Sequence, residues 1–112
     1  MIKNNVKTKW KNKEVVLNSF LSIPNTFTAE IMSEQGYDAL TIDYQHGMIS
    51  FSDLFTMLQS IRSSGVTPIC RVSGLDHAVI SKVMDAGALG IICPMINNKK
   101  QAEQLVQDCK YP

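Results

Sequence analysis

Leu40-Thr-Ile-Asp-Tyr-Gln-His-Gly-Met48 is a short apolar run that ends in an acid, an amide and a histidine, with Gly47 behind them. Leu40 to Ile42 have the composition of a buried strand. Asp43, Gln45 and His46 then fall where that strand would emerge into a loop. Parallel sheets, open or closed, hold ligands at the carboxyl ends of their strands, because loops there carry polar groups over a rigid floor. A histidine beside a carboxylate in that position is a candidate acid/base pair.

Downstream of this stretch, Ser50 is a good helix N-cap, with Asp53 in the first turn. Phe51, Leu54, Phe55, Leu58 and Ile61 recur at helical spacing, and Gly65 ends the helix. Thr67 to Val72 is a second apolar run that ends in a charge, Arg71. Asp76 caps a helix with Val79, Ile80, Val83 and Met84 on its inner side, and Gly87 terminates it. Leu89 to Met95 is a further strand, and Asn97 or Asn98 caps a last helix bearing Ala102, Leu105, Val106 and Cys109. Upstream, Val15 to Ile23 reads as the first strand, broken by Pro24 and Asn25. Thr26 or Thr28 caps a helix with Phe27, Ile31 and Met32, closed by Gly36. A short leading helix is expected to close over Trp10 to Lys13.

Strand and helix thus alternate four times with no hairpin signal. The strands are continuous apolar runs, as in parallel strands with a helix-covered face, and this predicts an α/β fold. The pattern by itself leaves a doubly wound sheet and a barrel both open. No Gly-x-Gly-x-x-Gly or Walker lysine loop appears, which lowers the nucleotide-binding option.

The chain has 112 residues, enough for one domain, with 45% hydrophobic and 19% charged residues. Eleven basic and ten acidic side chains leave a net charge of +1, which argues for neither nucleic acid nor membrane surface as a partner. Lys3, Lys7, Lys9, Lys11 and Lys13 make the N-terminal arm basic, expected as a solvated face. The first twelve residues lack the apolar core of a signal peptide, and no run approaches the ~20 apolar residues of a membrane span. Cys70, Cys93 and Cys109 lack metal-ligand spacing and read as small buried hydrophobes in a reducing, cytoplasmic setting. His77 beside its N-cap reads as a surface residue. Lys82, mid-helix, is badly placed for a Schiff base.

Several ordered segments carry a resemblance: Ala29-Glu30, Gly36-Tyr37-Asp38, Ile42-Asp43-Tyr44-Gln45-His46-Gly47, Arg71-Val72 and Met84-Asp85-Ala86-Gly87-Ala88. Gly90-Ile91-Ile92-Cys93-Pro94-Met95-Ile96-Asn97, Gln101-Ala102 and Lys110-Tyr111-Pro112 follow. As a set they resemble the HpcH/HpaI aldolase/citrate lyase family, in particular its class II pyruvate aldolases. The resemblance implies a TIM barrel of eight strand–helix units and a divalent metal ion, Mg²⁺, Mn²⁺ or Co²⁺. It implies reversible carbon–carbon cleavage of 4-hydroxy-2-oxo acids to pyruvate, or a related oxo acid, plus an aldehyde.

The same resemblance gives the residues their expected roles. His46 becomes the general base or acid and Arg71 the group that steadies the developing enolate oxygen. Asp85 pairs with the histidine. Asp43, Gln45, Gly47 and Pro94 contribute to substrate binding or support the residues that do. Gln45 departs from the glutamate many members carry, and a neutral amide orients water but takes no proton. Asp85 lies near the end of its helix, at the face opposite the active end of a barrel. It is therefore expected to serve the His46 of a neighbouring subunit, with turn stabilisation before Gly87 as the alternative.

The chain is expected to comprise a basic segment or short helix over 1–14 and the N-terminal half of the barrel over 15–112. Four of eight units are then present, a half-barrel fragment. The family's metal-ligating glutamate and aspartate belong to the missing C-terminal half, so no metal ligand is assigned here. The expectation is a truncated product, a fragment, or half of a split enzyme, inactive alone, that forms a homo-oligomer or joins a complementing C-terminal half. The rivals are a non-catalytic half-barrel or relic that only associates with a partner chain, and a citrate lyase or malyl-CoA lyase-type enzyme.

Overall fold

Asn18–Leu21 (β1), Ala39–Asp43 (β2), Thr67–Arg71 (β3) and Gly90–Ile92 (β4) form one parallel sheet in the order β1-β2-β3-β4. The structure is a computed structural model and describes residues 2–110, so Tyr111 and Pro112 of the Lys110-Tyr111-Pro112 segment lie outside the described residues. Helices Thr26–Ser33 (α2), Phe51–Ser64 (α3) and His77–Asp85 (α4) connect successive strands, Asn5–Lys11 (α1) leads, and Lys99–Asp108 (α5) follows β4. Sequential parallel neighbours joined by right-handed crossovers place the connecting helices on one side of the sheet.

Strand parity then divides the residues between two faces. Leu21, Leu40, Ile42, Cys70 and Val72 point toward the helices and join one core with Leu54, Leu58, Ile61, Ile80 and Val83. Asn18, Phe20, Thr41, Asp43, Ile69, Arg71, Gly90 and Ile92 share the other, inner face, as the cross-strand pairs Phe20–Thr41, Asp43–Arg71 and Arg71–Ile92 show. Phe20 and Ile92 remain exposed there.

Local signals held in the central helices and shifted at the edges. Ser50 and Asp53 form a full capping box, and Gly65 ends α3 at φ 87°. Ser50→Ala should therefore cost about 1 kcal/mol, read from the urea unfolding midpoint. Asp76 and Asn98 cap α4 and α5. The α2 cap is Asn25, whose side chain accepts from Thr28 N, so neither Thr26 nor Thr28 is the cap.

The first and fourth strands are shorter than expected. Val15 and Leu17 precede β1 and are exposed, while Cys93 and Met95 follow β4 in its loop. The leading helix begins at Asn5 and ends at Lys11 rather than closing over Trp10 to Lys13. It docks on the sheet's amino-terminal end through Asn4 Nδ2 on Leu89 O, with Val6 buried and Lys9 paired to Asp38 at 2.9 Å.

Two predicted helix faces are only partly covered. Phe27 and Ile31 of α2 and Val106 of α5 are exposed, while Leu105 and Cys109 face the core. The exposed side chains belong to helices that flank the outer strands β1 and β4.

Candidate functional site

β2 and β3 end side by side, with Asp43 and Arg71 in register at the carboxyl edge of the inner face. Arg71 grips the carboxylate with two parallel bonds, Nε to Oδ1 at 3.0 Å and Nη2 to Oδ2 at 2.7 Å. The fork geometry suits a guanidinium and not an ammonium. The Phe20 ring lies 5.1 Å from the guanidinium carbon, so an aromatic from β1 backs the arginine.

Asp43 Oδ1 also accepts the backbone N–H of Gln45 at 3.2 Å and of His46 at 3.1 Å. One carboxylate therefore ties the β3 arginine to the β2 loop that carries the histidine. Its own side chain is only 6% exposed. The hydrogen bonds from Arg71 hold the Asp43 carboxyl at about 2, with the loop N–H groups assisting and burial opposing. Asp43 in turn raises the Arg71 pKa further. The pair stays ionised at neutral pH. Arg71 spends two of five N–H donors on Asp43, leaving three for a ligand at the mouth.

Gly47 is where the loop passes closest to its own strand. Its N–H bonds Asp43 O at 3.1 Å, and a Cβ added here would overlap that same backbone carbonyl. Gly47→Ala should thus displace the loop rather than repack it. A loss of about 1–3 kcal/mol is expected, with a shifted His46 imidazole resonance by NMR and the α3 amides unmoved.

The predicted residues divide clearly by position. Asp43, Gln45, His46, Gly47 and Arg71 come together at one end of the sheet, with Pro94 in the loop after β4 at that same end. His46 is exposed. Asp85 is the last residue of α4, whose chain has crossed to the amino-terminal end before β4 begins, and the fold does not bring it to His46 of the same chain. His77 is a surface residue, as expected, with its side chain 68% exposed, and it also has a partner. Its Nδ1 lies 3.0 Å from Oδ1 of buried Asp108, which also accepts from Gln104. That pairing joins helices from different units and has no local signal.

Phe20 was legible only as a strand residue; period-two parity would have placed it beside Thr41 on the arginine's face. Lys82 sits on α4 with its ammonium 4.7 Å from the Phe51 ring centre, on the helical layer. Burial pushes the Cys70 thiol up to about 12 and raises those of Cys93 and Cys109, which fits small hydrophobes rather than nucleophiles.

Among the described residues no group of three or more His, Cys, Asp and Glu side chains converges as a metal site. The buried Asp43 carboxylate at the mouth is occupied by Arg71 and two loop N–H groups. These residues alone do not fit a divalent ion. Among the described residues no helix is long and apolar enough to cross a membrane.

Comparison with known proteins bears on the family and the fold. Residues 17–112 match the family model described as HpcH/HpaI aldolase/citrate lyase. A hydroxypyruvate/pyruvate aldolase of Rhizorhabdus wittichii is 38% identical over 108 residues, covering 96% of this chain and 43% of the relative. The crystal structure of an HpcH/HpaI aldolase/citrate lyase family protein from Burkholderia cenocepacia superposes with a TM-score of 0.89 at 26% identity. It covers 98% of this chain and 44% of that one. The citrate synthase SbnG structure superposes at 0.85 and 32% identity, covering 90% of this chain and 41% of its own. The chain spans less than half the length of the relatives it matches.

Proposed function

Because the chain belongs to the HpcH/HpaI aldolase/citrate lyase family, we propose that it supplies the acid/base and enolate-stabilising half of a metal-dependent aldolase acting on 4-hydroxy-2-oxo acids. The observation that carries this reading is the shared Asp43 Oδ1, which accepts from Arg71 Nε and from His46 N at one mouth. His46, exposed on the tethered loop, removes the proton from the carbon next to the oxo group, or returns it in cleavage. Arg71, already fixed by Asp43 and Phe20, points its spare donors at the oxygen on which charge develops; donors fixed in advance avoid reorganisation during the reaction. Gln45, Gly47 and Pro94 shape the mouth.

The divalent ion of this reading (Mg²⁺, Mn²⁺ or Co²⁺) would be held by carboxylates of the units that complete the barrel, because this chain's own residues do not fit one. Asp85, at the far end of α4, would act on the His46 of a neighbouring subunit. The setting we infer is cytoplasmic, with a small oxo acid and an aldehyde as substrates. The likeness to citrate synthase SbnG favours a second, related reading, carbon–carbon bond formation between two oxo or carboxylic acids at the same mouth.

Deuterium exchange into the pyruvate methyl group, followed by proton NMR with Mn²⁺ present, tests the proposal. The chain alone should give no exchange, and addition of the C-terminal part of the Rhizorhabdus relative should restore it. Exchange that survives His46→Ala in the complemented enzyme would exclude the assigned base.

A further inference from the structure

We propose that the mouth selects aldehydes with an uncharged, apolar tail, and that Met48 and Met95 make the selection. Selection of this kind presupposes the aldolase reading and deepens it.

In the bond-forming direction of that reading, the enolate carbon attacks the aldehyde carbonyl beside His46 and Arg71. The remaining carbons of the aldehyde then point away from both, out past the loops that follow the strands. Those loops are 22–25, 44–50, 72–76 and 93–98. They contain no lysine, arginine or glutamate. Their one acid, Asp76, is spent on the N–H groups of Ala78 and Val79. Arg71 gives two donors to Asp43 and, in the same reading, the rest to the enolate oxygen. Among the described residues no lysine or arginine is left at this mouth for a carboxylate or phosphate tail. The ion pair of Lys9 with Asp38 lies at the opposite, amino-terminal end.

What the loops offer instead is apolar. Ile23, Met48, Leu75 and Met95 supply one exposed large hydrophobic side chain from each of the four. A single exposed apolar residue is ordinary on a protein surface; one from every loop at the same end of a sheet makes a rim. Met48 is 88% exposed although its loop is anchored on either side of it. Gly47 N–H bonds Asp43 O, and Ile49 is buried in the core. This exposure does not come from an edge of the sheet, because β2 has a strand on both sides. Met95 is 77% exposed and is held at φ 62°, a left-handed backbone that residues with a Cβ rarely adopt. Residues held in that way cluster at ligand sites. Methionine is unbranched and polarisable, so two of them suit apolar chains of varied shape.

The test compares two aldehydes of equal carbon count in the complemented enzyme: butanal, and the one that ends in a carboxylate instead of a methyl. For condensation with pyruvate, kcat/KM should favour butanal by about tenfold or more. Met48→Lys should lower that ratio by about tenfold, because it sets a cation beside the carboxylate tail, and Met48→Leu should keep it. The complementing half is the same throughout, so a change in the ratio reports this chain. A preference for the carboxylate aldehyde, or a ratio indifferent to Met48→Lys, would overturn the proposal. A second measurement uses the full chain alone, with isotope-labelled methionine methyl groups observed by NMR. Titration with n-butanol should move the Met48 and Met95 signals and leave those of Met57 and Met84 in place, while succinate moves none. If the complemented enzyme does not assemble, this titration decides, and unmoved Met48 and Met95 signals overturn the proposal. Pyruvate methyl exchange involves no aldehyde. Failure of the aldolase reading therefore shows as lost exchange, and failure of the selection as normal exchange without an apolar preference.

Discussion

Asp43→Ala should lower the unfolding free energy by about 3 kcal/mol, moving the urea midpoint by about 1–2 M. The side chain is 6% exposed and accepts four hydrogen bonds, two from Arg71 and two from the loop that carries His46. Removing it leaves a guanidinium that is 28% exposed without its partner, and frees two loop N–H groups. Because Arg71 keeps some contact with solvent, the loss should stay at the lower end of the range for buried pairs.

The same residue gives the acid limb of the stability profile. Its carboxyl sits at about 2 in the folded chain, against 3.8 for an aspartate free in solution. A depressed folded value means the contribution is complete above about pH 4 and is lost as pH falls toward 2, amounting to about 2.5 kcal/mol. Asp43→Ala should flatten this limb, so urea titrations at pH 6 and pH 3 should differ less in the variant than in the parent. An unchanged limb would assign the acid sensitivity to other carboxylates.

Arg71→Lys in the complemented enzyme should lower kcat by about 100- to 1000-fold with a much smaller change in KM, measured as aldol cleavage of a 4-hydroxy-2-oxo acid. Lysine keeps the charge but cannot make two parallel bonds to Asp43 while still presenting fixed donors to the substrate. If the arginine served only to hold Asp43, activity would follow stability and recover on cooling or with osmolyte; the expected loss persists in fully folded protein.

The alternation of strands and helices was readable from residues because the evidence is local. Leu40 to Ile42 form a short continuous apolar run, and Ser50 with Asp53 announces a helix start within four residues. The mouth was readable for the same reason. Asp43, Gln45 and His46 are neighbours in the chain, and their carboxylate-to-loop bonds span two and three residues. Arg71 needed one more step, the shared pattern of an apolar strand ending in a charge.

What escaped the sequence depends on strand register and on which units have neighbours. Phe20 backs Arg71 only because β1 pairs with β2 so that both side chains face inward, and 51 residues separate them in the chain. His77 and Asp108 meet only because α4 and α5 pack together. Val15 and Phe27 are as apolar as Leu40 yet stay exposed, because burial depends on what lies beside a unit.

The sequence by itself therefore determined the α/β class, the helix caps around the central units and the residues of the β2 loop, since each follows from short-range hydrogen bonding and periodicity. Only the tertiary structure decided that Arg71 takes both oxygens of the Asp43 carboxylate, that Phe20 backs the arginine, and that His77 meets Asp108. Those facts arise from contacts between segments distant in the chain, where loop closure and packing, not local preference, set the free energy.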